Sequence, residues 1–149
     1  MATIYIPLKD MVIDPAKKID ITSLPKEEAA SLIKNSFGFL SSIVDVSIEG
    51  KLAVIKFKEE KEEKIKEASK LYEKGVKEAE HGEYSRAIKE FRKALDIMPY
   101  HVDARRNMAM AYLESGDVEK AKEHLRECLQ LDPNNSWTNL LLGNIYVRH

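Results

Sequence analysis

From Ala68 to the end of the sequence, small and large apolar residues recur at intervals of 34 positions. A period of this length is typical of helical arrays in which each pair of helices packs on the next. The shift aligns glycine with glycine, alanine with alanine, leucine with leucine and proline with proline: Gly82 with Gly116, Ala87 with Ala121, Leu95 with Leu129, and Pro99 with Pro133. This part of the chain is therefore predicted to be a stack of paired helices.

The pattern resembles the tetratricopeptide repeat (TPR) over residues 68–149. The residues at signature positions are Gly75, Ala87, Phe91, Ala94 and Pro99, then Ala109, Tyr112, Ala121, Leu125, Cys128 and Pro133, then Leu142, Gly143 and Tyr146. The signature tryptophan is replaced by Leu71, Arg105 and Asn139, and Glu78 replaces a tyrosine. The resemblance implies an all-α solenoid of about two and a half repeats. Gly75, Ala109 and Gly143 would be small because facing helices approach closely there.

Turn residues set the expected helix limits within this array. Gly82 and Gly116 can end the first helix of a pair, and Pro99 and Pro133 enforce the turn to the next pair. We predict helices at about 61–81, 84–97, 102–114, 118–131 and 136–149.

Residues 1–57 alternate in the manner of strands and have no evident family resemblance. A first strand around Ile4 and Ile6 should lie at a sheet edge or end there, because Pro7 lacks an N–H. A helix should run from Pro25 to Phe37, with Gly38 as a left-handed stop. A hairpin should turn at Glu49-Gly50-Lys51. The whole chain is thus predicted to be α+β: a small strand–helix–hairpin domain at 1–57, a charged helical spacer at 58–67, and the repeat domain at 68–149.

Composition argues against several classes of function. Lysine and glutamate are interleaved and the net charge is −1, so the sequence shows no basic face for nucleic acid. No apolar run approaches the roughly 20 residues of a membrane helix, and we expect neither a membrane association nor an export signal. We therefore predict a cytoplasmic protein.

No residue pattern predicts catalysis, a cofactor or a metal site. His124 and Cys128 are four positions apart, a spacing that can share a metal, but no further ligand is evident and Cys128 falls on a position of the repeat that holds a small buried residue. Phosphate-binding, nucleophile-elbow and dinucleotide motifs do not occur. We do not expect an enzyme.

The resemblance implies that the first helix of each pair lines a concave groove that receives a peptide or helix of another protein. Transferred residue by residue, the predicted binding groove comprises Tyr72, Val76, Arg106, Asn107, Met110, Leu113, Trp137, Leu140, Leu141 and Asn144. Such a groove could instead be covered by a second copy or by the protein's own chain. TPR domains that grip the carboxylate terminus of heat-shock proteins use a cationic clamp. Only Asn107 matches that clamp here, so the resemblance ends at the scaffold.

The last predicted helix, residues 136–149, carries apolar side chains nearly all round. It would be the first member of a third pair. We expect either that further repeats follow it or that it packs on a second copy, most simply in a symmetric dimer. The alternatives to partner binding are therefore homo-oligomerisation through this helix and a role as the recruiting part of a larger enzyme.

Overall fold

The structure is a computed structural model that describes residues 2–11, 13, 19–40, 43–58 and 60–148. These residues fall into two compact units, Met1–Glu59 with Gln130–Asn134, and Glu60–Leu129 with Asn135–His149. In chain order the described strands and α-helices are β1 (Ala2–Pro7), α1 (Lys26–Ser36), β2 (Ile43–Glu49), β3 (Leu52–Phe57), α2 (Glu62–Glu80), α3 (Tyr84–Ile97), α4 (Val102–Glu114), α5 (Val118–Leu131) and α6 (Ser136–Arg148).

The first unit contains an antiparallel sheet with the strand order β1-β3-β2. Pro7 is the last residue of an edge strand, where a missing N–H costs least. Gly50 adopts a φ of 60° in the turn between β2 and β3. β3 is the central strand, and Ala53, Val54 and Ile55 are all fully buried in it. Successive side chains of a strand point to opposite faces, so both faces of β3 are covered.

The end of α1 differs from the prediction. Gly38 is not in the left-handed region, since the described glycines with positive φ are Gly50, Gly82 and Gly116. The last α-helical hydrogen bond runs from the N–H of Phe37 to Ile33 O at 3.2 Å, and a tighter turn follows, in which the N–H of Gly38 donates to Asn35 O at 3.2 Å. The Phe37 side chain is buried, with 1% exposed. The predicted helix limit at Phe37 is therefore confirmed to within one residue, whereas the predicted left-handed stop at Gly38 is wrong.

The helix limits in the second unit follow the repeat. Gly82 and Gly116 have φ values of 76° and 93°, just after α2 and α4. The N–H of Glu83 donates to Glu78 O at 2.9 Å, and the N–H of Asp117 donates to Tyr112 O at the same distance. These two bonds lie 34 residues apart and satisfy carbonyls that a helix end leaves open. α2 begins at Glu62, so Lys58, Glu60 and Lys61 lie outside it; Glu59 is outside the described residues.

The core of the second unit is built from α3, α4, α5 and α6. Two hydrogen bonds on its margin repeat the 34-residue spacing: Arg92 donates to the hydroxyl of Tyr112, and Arg126 donates to the hydroxyl of Tyr146, both at 2.6 Å. Each bond joins the second helix of a pair to the following helix. α6 is thus held on α5 in the same way as α4 is held on α3.

Close helix approach holds at Gly75 but not at Gly143. A Cβ placed on Gly75 would lie 2.7 Å from the Phe91 ring, whereas a Cβ on Gly143 would meet nothing within 4 Å. The expectation of a close approach at Gly143 is therefore wrong. The Phe91 position recurs at Leu125, and this sequence holds no residue 34 positions after Leu125. The repeat count and the domain limits at 57 and 67 stay predictions.

Candidate functional site

The predicted groove lies within the second unit, on α2, α4 and α6. Tyr72 is joined to α4 by a hydrogen bond in which Asn107 Nδ2 donates to the phenol oxygen at 2.9 Å. Its ring also lies 4.9 Å from the ring of His101 and 5.9 Å from that of Phe91, between centroids. Two predicted groove residues, Tyr72 and Asn107, are thus brought together and fix each other's orientation.

Two titratable side chains at this end of the groove, Tyr72 and His101, stay uncharged near neutral pH. Burial raises the pKa of the Tyr72 phenol above 10.0, and the Asp103 carboxylate adds to that shift. Burial lowers the pKa of His101 below 6.5. The neutral imidazole Nδ1 accepts a hydrogen bond from the N–H of Ala104 at 3.0 Å and so caps α4. These groups therefore shape the groove rather than charge it.

Arg106 is paired inside the molecule. Its Nη2 donates to Asp103 Oδ1 at 2.9 Å, one turn earlier on α4. Its Nε is buried and has no hydrogen-bond partner among the described residues. The guanidinium is therefore held toward Asp103 on its own helix.

A depression of about 430 Å³ opens between α2, α3 and α4. Val76 and Ala79 line it from α2, and Asn107 and Met110 line it from α4. The Phe91 ring also lines it, from α3. This α2–α4 depression brings together three residues of the predicted groove, Val76, Asn107 and Met110.

Two carboxylates that the sequence prediction missed also line the α2–α4 depression, Glu80 and Glu114. The repeat carries a signal for them: they are 34 positions apart, as are Val76 and Met110. The next position in the same series is Arg148, where the charge reverses.

The remaining predicted residues lie at the α4–α6 end of the groove. Leu113, Leu141 and Asn144 line a second depression of about 290 Å³, together with Arg148. Trp137 and Leu140 line neither depression and are 49% and 53% exposed. Tyr72 lines a third depression, which it shares with Val76. The structure therefore divides the predicted groove into three depressions and an exposed apolar stretch at the start of α6.

His124 and Cys128, whose spacing raised the question of a shared metal, lie in different surroundings. Cys128 is fully buried, and burial raises the pKa of its thiol to about 12. His124 Nδ1 lies 3.2 Å from Glu127 Oε2, and its ring stacks on that of Tyr112 at 5.5 Å. Within the part of the chain that the structure describes, no group of three or more His, Cys, Asp or Glu side chains could hold a metal. None of the described helices is both long and apolar enough to cross a membrane.

Comparisons with known proteins agree on the helical part of the chain. A family model described as tetratricopeptide repeat matches residues 78–127. An uncharacterized protein of Methanocaldococcus jannaschii is 37% identical over 62 residues, which are 42% of this chain and 72% of that protein. Anaphase-promoting complex subunit 3 of Schizosaccharomyces pombe is 31% identical over 74 residues, 50% of this chain but 11% of that subunit.

Two solved structures share the helical fold. The TPR domain of Sgt2 from Aspergillus fumigatus superimposes with a TM-score of 0.52 at 34% identity, covering 54% of each chain. The second TPR of Spaghetti, bound to the HSP90 peptide SRMEEVD, superimposes with a TM-score of 0.54 at 22% identity. That match covers 58% of this chain and 80% of the other.

Proposed function

Because the chain belongs to the tetratricopeptide repeat family, we propose that its helical unit binds a peptide or helix of a partner protein in the groove formed by α2, α4 and α6. The observation that carries the proposal is the α2–α4 depression, whose walls hold Val76 and Met110 at equivalent positions of the repeat. An open apolar hollow with a few fixed polar groups is the usual seat of an interface anchor.

The relatives support the same class of function. Anaphase-promoting complex subunit 3 is by name part of a complex. The second TPR of Spaghetti was solved with a bound peptide. The proposal extends protein binding to this chain and makes it a non-catalytic interaction module. It places the module in the cytoplasm, where a lone buried thiol such as Cys128 stays reduced.

Quantitative affinity capture tests the groove. Captured proteins are compared between the native chain and a variant carrying Val76→Ser with Met110→Ser. We expect the specific partner to be depleted at least about ten-fold, because loss of a central anchor costs more than about 1 kcal/mol per residue. Val44→Ser is the matched control, since Val44 is 51% exposed on β2 in the other unit. A partner retained equally by the groove variant would contradict the proposal.

Self-association through α6 is a second candidate function. Trp137, Leu140, Tyr146 and Val147 are 49%, 53%, 56% and 87% exposed on this one helix. Contiguous apolar side chains of this kind commonly mark contact sites. Light scattering over a concentration series should show a dimer that Val147→Lys shifts to monomer. If the native chain is a monomer at high concentration and Val147→Lys leaves its scattering mass unchanged, self-association through α6 is contradicted.

A further inference from the structure

The rim of the α2–α4 depression carries charge of one sign. Glu80 and Glu114, the last residues of α2 and α4, both line it and are both exposed. Among the described residues, none that lines this depression is basic. Neither carboxylate forms a salt bridge to any of the described residues. An apolar hollow is thus bordered by two carboxylates that form no salt bridge with a described residue.

The location of these carboxylates costs the free protein stability. The carboxyl end of a helix carries a partial negative charge, and an acidic side chain there is unfavourable. Both α2 and α4 end on such a carboxylate, and the two glutamates are 34 residues apart in the sequence. A ligand that brings positive charge to the two helix ends would offset the repulsion.

The neighbouring surfaces define the charge pattern further. The depression beside it, lined by Tyr72, Val76 and Glu80, adds Glu73 and Lys77. The α4–α6 depression is lined both by Glu114 and by Arg148, which occupies the repeat position that follows Glu80 and Glu114. Negative charge therefore exceeds positive charge around the α2–α4 depression, and toward α6 the two signs balance.

We propose that the occupant of the α2–α4 depression is a protein segment with one large apolar side chain flanked by lysine or arginine. The apolar side chain packs against Val76 and Met110, and the flanking cations pair with Glu80 and Glu114. This inference rests on the proposed groove function and specifies its partner. It also predicts that acidic segments are rejected, because their carboxylates would face these two without compensation.

Selection from a phage-displayed library of random peptides on the whole chain tests this chemistry. Peptides selected by the native chain should be enriched in lysine or arginine near a leucine, isoleucine, methionine or phenylalanine. The variant with Glu80→Lys and Glu114→Lys should select acidic flanks instead. Cations are favoured at the carboxyl ends of helices, so the melting temperature of this variant should not fall. The peptide SRMEEVD serves as the acidic probe and should bind the native chain no better than a scrambled control.

Single substitutions refine the measurement. Glu114→Lys should weaken a selected basic peptide by about two- to five-fold, the range of an exposed ion pair, and added salt should narrow the difference. Glu123→Lys on α5 is the matched control, since Glu123 is exposed and does not line the α2–α4 depression. The Glu123→Lys variant should bind the selected basic peptide with the same affinity as the native chain.

The outcomes separate this inference from the groove function. Peptides that depend on Val76 and Met110 but show no basic preference would overturn the inference and leave groove binding standing. If the variant with Glu80→Lys and Glu114→Lys selects the same peptides as the native chain, the inference is likewise overturned and groove binding is left standing. Peptides bound equally after Val76→Ser with Met110→Ser, or the recovery of no groove-dependent peptide, would overturn both.

Discussion

Gly75 and Gly143 occupy equivalent positions, 68 residues apart in a sequence with a 34-residue repeat, yet their surroundings differ. Gly75→Ala would gain about 1 kcal/mol of helix propensity, but the new Cβ would lie 2.7 Å from the fully buried Phe91 ring. Overpacking of that kind costs about 1–3 kcal/mol. We expect a net loss of about 1 kcal/mol in the free energy of unfolding.

Gly143→Ala is the same substitution at the equivalent position, and we expect it to stabilise the protein. Its Cβ would meet nothing within 4 Å, so the propensity gain of about 0.5–1 kcal/mol should appear almost whole. Urea unfolding of both variants measures the contrast. Equal effects at the two positions would show that Phe91 does not hold α2 and α3 at the distance described.

Because of the Cys128 thiol, the free energy of unfolding should depend on pH in the alkaline range. Its ordinary pKa of 9.0 is raised to about 12 by burial. Above pH 9 the unfolded chain releases this proton while the folded chain keeps it, so stability falls as the pH rises from 9 toward 12. The loss should reach about 2 kcal/mol near pH 10.5, at about 1.4 kcal/mol per pH unit. Other titrating groups cancel when unfolding is compared with that of Cys128→Ala. A pH-independent difference would contradict the assignment.

At the level of elements, an ion pair substitutes for the aromatic residue of the family signature. Arg105 stands where the signature has tryptophan and is only 6% exposed. Its Nη1 donates to Glu127 Oε2 on α5, and its Nη2 donates to Pro99 O at 2.9 Å. The guanidinium thus joins α4, α5 and the turn before α4, with hydrogen bonds instead of ring packing.

Glu127→Ala should therefore be costly. Removing one partner of a buried pair leaves the other charge desolvated, at about 3–5 kcal/mol. Arg105→Met should restore much of that loss when combined with Glu127→Ala, because it removes the stranded charge. Glu123→Ala on the same helix is the control and should change stability by less than about 0.5 kcal/mol. Equal losses from Glu127→Ala and Glu123→Ala in thermal unfolding would contradict the role given to the pair.

The elements that the sequence predicts well are those fixed by local chemistry. Helix limits at 84–97, 102–114 and 118–131 agree with the structure because glycine and proline end helices wherever they recur. The limit of α1 is also predicted to within one residue, but the left-handed conformation predicted for Gly38 is wrong, because a glycine in the sequence does not by itself fix its φ.

Within the groove, the repeat predicts which positions face one another but not how their polar atoms are used. The bond between Asn107 and Tyr72 joins residues 35 positions apart on two helices. The pair of Arg106 with Asp103 depends on side-chain rotamers. The spacing of three residues allows the Asp103–Arg106 pair, but the bond between Tyr72 and Asn107 is not visible in a one-dimensional pattern. Glu80 and Glu114, by contrast, could have been found from their spacing alone.

For the whole molecule, the decisive prediction concerns the independence of the helical unit. Its core cluster includes Phe91, Met108, Tyr112, Leu125 and Ile145, all of which lie in the second unit. Repeat arrays draw their stability from contacts between neighbouring helices. We therefore expect a fragment of residues 60–149 to retain its helical circular dichroism and a cooperative thermal transition without residues 1–57.

Phe91→Ala in that fragment provides the control. The ring is fully buried against Gly75, and its removal should cost about 3–5 kcal/mol. A loss of this size approaches the whole stability of a small domain, so the cooperative transition should disappear. If the unsubstituted fragment is already unfolded while the full chain is folded, the boundary at residue 57 does not separate two folding units. The groove would then depend on the N-terminal residues for its shape.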